Sequence, residues 1–102
     1  MKVISHGVTD SGARSVEIPC NESSFDALVR CMRAIPGALV SDTAHDPLND
    51  NAKATIHYKG AVFTLDTPFS DYWIHCAIPT PYFDEFLSHL KAHRTSWWER
   101  FF

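Results

Sequence analysis

At 102 residues the chain has the length of one domain, and at 45% hydrophobic content it can bury a core without disulfides or a structural metal. A formal net charge of −3, a pI near 6.0 and the lack of any basic run give no electrostatic reason to expect nucleic acid or an anionic membrane as partner. The opening Met1-Lys2-Val3-Ile4-Ser5-His6-Gly7 has no apolar signal core, no stretch approaches a membrane span, and Cys20, Cys31 and Cys76 are too irregularly spaced for a disulfide framework, so a cytoplasmic protein with reduced thiols is expected.

In chain order, Lys2 to Ser5 predicts a short strand, Val8 to Ala13 a turn, and the alternating Arg14 to Ile18 a second strand ended by Pro19. The pair reads as a hairpin. Asn21-Glu22-Ser23-Ser24 is a helix-capping cluster, with Ser23 and Asp26 approximating a capping box. Phe25, Leu28, Val29 and Met32 then fall at the i, i+3, i+4, i+7 spacing of an amphipathic helix, which Ile35-Pro36-Gly37 stops. Ala38 to Asp42 predicts a strand, and Thr43 to Asn51 an acidic loop.

The run from Lys53 to Pro79 is the densest in β-formers. Ala54–Tyr58 and Ala61–Asp66, joined by Lys59-Gly60, predict a two-residue hairpin in which Tyr58 faces Ala61, Ile56 faces Phe63 and Ala54 faces Leu65. His57 opposite Val62 and Thr55 opposite Thr64 then share the more polar face. A slip of one residue would expose Ile56 and Phe63, so the register is well specified. Pro68 should stop or bulge the ladder, and Tyr72 to Ile78 resumes it with Tyr72, Ile74, Cys76 and Ile78 toward the core. Thr80-Pro81 opens a last helix with Phe83, Phe86, Leu87 and Leu90 as its apolar stripe. The expected architecture is α+β: a two-layer sandwich of one antiparallel sheet on two helices, in the order β-β-α-β-β-β-β-α, with short connections favouring pairing between consecutive strands. Residues 1–102 read as a single domain, with 95–102 an aromatic terminal segment in which Ser96 can start a short separate helix.

Chemistry-bearing residues are few. His89 and His93 are four apart on the last helix, but no Glu follows the first and no dense ligand set accompanies them, so neither metal nor cofactor is expected. His75 and Cys76, adjacent in a strand, point to opposite faces and cannot pair with one another. His57 is within reach of one of them at most. Asp66 and Asp71 flank Thr-Pro-Phe-Ser and read as turn caps. No phosphate-binding glycine loop, nucleophile elbow or Cys-x-x-Cys is present.

The aromatic surplus has no purely local explanation. Trp73 lies opposite Ile74 in its strand, and Trp97, Trp98, Phe101 and Phe102 crowd the end of the chain. These aromatics either close the core edge or present a surface to a partner. The function expected from these features is non-enzymatic protein binding, in its specific form an immunity-type protein that occludes a bacterial toxin such as a basic nuclease. Asp42, Asp46, Asp50 and Asp71 would supply attraction, and Trp73 or Trp98 the grip. The alternative is a small enzyme or ligand-binding domain on the polar sheet face around His57, Trp73 and His75, with Asp71.

Overall fold

The computed structural model describes residues 1–46, 48 and 51–94. Asp50, Trp98 and the helix expected from Ser96 lie outside the described residues. The elements run β1 (Ile4–Val8), β2 (Arg14–Ile18), α1 (Phe25–Arg33), β3 (Ala38–Asp46), β4 (Asn51–Tyr58), β5 (Ala61–Phe69), β6 (Asp71–Cys76) and α2 (Pro81–Ala92). This is the α+β order that the sequence predicts.

The strands form one antiparallel six-stranded sheet in the order β1-β2-β6-β5-β4-β3. Consecutive pairing therefore fails at one point: β2 pairs with β6, and β3 forms the opposite edge. The physical reason is α1. A helix that buries its apolar stripe on a sheet must lie across it, and it carries the chain from one side of the sheet to the far edge. The β3–β6 meander then returns to fill the vacant edge of β2.

The β4–β5 register is the one that the hydrophobic pattern requires, with Tyr58↔Ala61, Ile56↔Phe63 and Ala54↔Leu65. Both turn residues have positive φ, 50° at Lys59 and 85° at Gly60, as a turn matched to strand twist requires. Lysine tolerates this conformation poorly, and tertiary contacts hold it. The Lys59 ammonium lies over the Tyr58 and Tyr82 rings and pairs with Glu85 of α2. Tyr58 donates its hydroxyl hydrogen to the same carboxylate at 2.7 Å. Lys59 and Tyr58 together hold the Glu85 carboxyl below the usual glutamate range.

Several boundaries differ from the sequence reading. β1 starts and ends later than Lys2–Ser5. The N-cap of α1 is Ser24, whose Oγ accepts from Ala27 N at 3.2 Å. Ser23 is buried instead, and its carbonyl accepts the Tyr72 hydroxyl at 2.9 Å. Within the acidic segment expected as a loop, residues 43–46 and Asn51 are strand: β3 continues to Asp46, through a register shift between Ser41 and Ala44. That bulge, with Asp42 at φ 52°, absorbs the turn-like composition while the ladder continues beyond it. β5 likewise runs on to Phe69 through a register shift after Asp66, the bulge that Pro68 calls for. β6 ends at Cys76, so Ile78, expected in the core, is 77% exposed. α2 ends at Ala92, and His93 leaves the helix with ψ 125°, so His89 and His93 do not share a helical face.

Both helices pack on one side of the sheet. Phe25, Leu28 and Met32 of α1 join Phe83, Phe86, Leu87 and Leu90 of α2 and the inward strand residues Val16, Ile18, Ile56, Phe63, Leu65 and Ile74 in a single buried cluster. Phe63 lies between two rings of α2, with centroids 5.0 Å from Phe83 and 5.4 Å from Phe86. Each such side chain contributes about 1.5–3 kcal/mol by leaving water. Among the described residues no helix is long and apolar enough to cross a membrane.

Candidate functional site

Strand side chains alternate, so covering one face with helices leaves the other uncovered. Directly opposed residues share a face. The pairing therefore traces a continuous row across the sheet: Ala44, Lys53, Asp66, Trp73, Glu17 and Ile4. A second row runs Ser41, Thr55, Thr64, His75, Ser15. No described element lies over either row.

Trp73 is the centre of this face. His6 stacks on its indole with centroids 4.4 Å apart, His75 lies nearly parallel at 6.3 Å, and Phe69, 78% exposed, meets it edge-on at 6.4 Å. Its indole Nε1 is buried and has no hydrogen-bond partner among the described residues. Both imidazoles are tied to carboxylates. His6 Nε2 is 2.9 Å from Glu17 Oε1, and His75 Nε2 is 2.9 Å from Asp66 Oδ1. On its other side His75 meets Ser15, with Nδ1 to Oγ at 2.8 Å. Asp71 accepts from Cys20 N–H at 2.9 Å, and its hydrogen bond with Glu17 together with this N–H holds its carboxyl below the usual aspartate range.

The face is acidic. Glu17, Asp66 and Asp71 lie around Trp73. Asp46 opposes Asn51, which shares the outward parity of Lys53, and Asp42 borders a shallow hollow with Lys53, Thr55, Thr64 and Asp66. Lys53 is the only lysine or arginine among the outward strand residues described here. Arg14 and Lys59 are engaged with α2, through Asp84 at 2.6 Å and through Glu85.

At one end of the face, beside the β4–β5 turn, a half-open hollow of about 490 Å³ is lined by Val62, Thr64, His75, Ala77, Ile78 and Tyr82, among others. It is mostly apolar, and it takes in neither Trp73 nor Asp71. Among the described residues no group of three or more His, Cys, Asp or Glu side chains is placed to hold a metal ion.

The structure thus brings Asp42, Asp46, Asp71 and Trp73 onto one surface. His57 shares that surface but opposes Leu39 and Val62, two strands from His75 and out of register with it. It joins neither His75 nor Trp73. Asp66 is not a turn cap, since β5 continues past it and its carboxylate holds His75. Cys76 is on the covered face as expected. Burial pushes its thiol up, and its Sγ donates to the Ile78 carbonyl at 3.1 Å. Ser15, His6 and Glu17 were not singled out by sequence, because the strand pairing that brings them to Trp73 joins residues about sixty positions apart. Comparison of the chain with protein-family models, with curated proteins and with solved structures found no match in any of the three.

Proposed function

We propose that this is a binding protein whose sheet face, over which no described element lies, occludes a basic surface of another protein. The observation that carries the proposal is the placement of Asp66 and the hydrogen-bonded Glu17–Asp71 pair around Trp73, with Asp42 and Asp46 on β3 of the same face, against Lys53 alone among the described outward strand residues. Acidic fields steer basic partners and speed their encounter, while aromatic side chains supply the grip that slows dissociation. In its most specific form the proposal makes the protein an immunity factor for a bacterial toxin. A nuclease suits this role because enzymes that bind phosphate backbones carry basic surfaces.

The test is affinity capture by the tagged protein from its native cells, run in parallel with a Trp73→Ala, Asp71→Asn variant shown to be folded. A stoichiometric basic protein held by the first and lost by the second is the expected result. Capture of the same protein by both, or of no stoichiometric partner, would remove the proposal. A second reading, a small enzyme or ligand-binding domain on this face, is favoured by one observation: the hydrogen-bonded chain Ser15–His75–Asp66.

A further inference from the structure

Three strands contribute one side chain each to that chain. Ser15 on β2 and His75 on β6 are directly opposed, and Asp66 on β5 opposes Trp73, two residues from His75. The proton positions follow from the partners. Ionised Asp66 can only accept, so His75 Nε2 carries the ring hydrogen and donates it at 2.9 Å. Nδ1 then holds the free lone pair and accepts the Ser15 hydroxyl hydrogen at 2.8 Å. This is the tautomer in which imidazole acts as a base toward a hydroxyl. Trp73, nearly parallel to the ring, and the paired strands on both sides limit its rotation.

We propose that Ser15 is an activated nucleophile, with His75 as its base and Asp66 as the residue that positions His75, and that it takes small apolar acyl groups from activated esters. Two features set the substrate class. The apolar hollow of about 490 Å³ includes His75, the hydrogen-bond partner of Ser15, in its lining, and offers Val62, Ala77, Ile78 and Tyr82 to an apolar group. Ser15 pairs with His75 of β6, the β1 ladder beside it is interrupted between Ser5 and Val8, and α1 and α2 pack on the other side of the sheet, so neither helix N-terminus offers Ser15 an oxyanion hole. Aryl esters and thioesters fit this limit, because their leaving groups depart without strong oxyanion stabilisation.

In the step itself, Ser15 Oγ attacks the carbonyl carbon and its proton passes to His75 Nδ1. The carbon–oxygen or carbon–sulfur bond to the leaving group breaks, and that group takes the proton from Nδ1. The acyl–Ser15 ester is then cleaved by water, which gives its proton to Nδ1, and the proton returns to Ser15 as the carboxylic acid leaves. The inference rests on the second reading above; it shares Asp66 with the proposed docking face but requires no second protein, so hydrolysis by the isolated chain is tested independently of partner capture.

The experiment incubates the intact protein with p-nitrophenyl butyrate, and separately with an alkyl fluorophosphonate, and follows nitrophenolate release and the mass of the chain. The expected results are nitrophenolate release and a single phosphonyl adduct that maps to Ser15. Ser15→Ala should lose both. His75→Gln should slow both about a hundredfold, the scale of general-base assistance. Asp66→Asn should slow them about tenfold or more with the pH profile displaced, whereas Asp66→Glu restores part of the rate. No adduct, an adduct at another residue, or hydrolysis unchanged in Ser15→Ala would overturn the assignment. Should Ser15→Ala fold poorly, Ser15→Cys provides the same reading through its thiol. Its alkylation by iodoacetamide should be fast, and slow when His75→Gln is added. Equal alkylation rates in the two proteins would equally overturn it.

Discussion

Ile56, Phe63 and Ile74 are fully buried under the two helices, whereas their chain neighbours His57, Thr64 and Trp73 point from the same strands to a face that no described element covers. The covered face is held by apolar area and ring packing, with Phe63 between Phe83 and Phe86. The open face is held by pairs: His6 with Glu17, His75 with Asp66 and Ser15, Asp71 with Glu17 and Cys20. The difference teaches where stability and recognition reside in a two-layer protein. Burial on one side stabilises the sheet enough for the other side to carry charge and an aromatic centre that add little to folding.

The comparison is broken most directly at adjacent residues of β5. Phe63→Ala should cost about 3–5 kcal/mol in denaturant unfolding, a large part of a domain stability of roughly 5–15 kcal/mol. Thr64→Ala, one residue on, should stay within about 0.5 kcal/mol. A midpoint for Phe63→Ala close to that of the parent would remove the core described above. At the covered layer's edge, Ser24→Ala removes the acceptor for Ala27 N–H and should cost about 1 kcal/mol by the same measurement.

The open face is sharpened by pH. Asp71 has a folded-state carboxyl held below its ordinary range, first by Glu17 and then by the Cys20 N–H. Its contribution is therefore present above the ordinary aspartate range and is lost as pH falls through the depressed value. Asp71→Asn should lower stability at neutral pH and flatten the acid limb of the stability curve. A limb of unchanged steepness would show that the Asp71 contacts do not contribute to folding.

The smallest effect on folding should come from charge removal at β3. Asp42→Asn with Asp46→Asn keeps a residue that tolerates the φ of 52° at position 42. It should leave the unfolding midpoint nearly unchanged, yet slow association with a captured basic partner and reduce its salt dependence. Trp73→Ala should mainly speed dissociation. Surface-plasmon kinetics at two ionic strengths separates these effects, and an unchanged on-rate for the β3 variant would end the steering argument.

What the sequence determined by itself is whatever a local period carries. The β4–β5 register follows from alternation, because Ile56 and Phe63 can be buried together in only one pairing. The stripe Phe83, Phe86, Leu87, Leu90 fixes α2, and Thr80-Pro81 fixes its start. Tertiary structure decided the rest. The acidic segment at Thr43–Asp46 reads as loop because its composition is turn-like, and it is strand because β4 supplies a ladder beyond the bulge at Asp42. Asp66 reads as a turn cap, and it holds an imidazole because β6 returns beside β5. Ser15 carries no local signal at all. It meets His75 because α1 sends the chain to the far edge and the meander comes back to β2, and long-range pairing of that kind is invisible to any window of neighbouring residues.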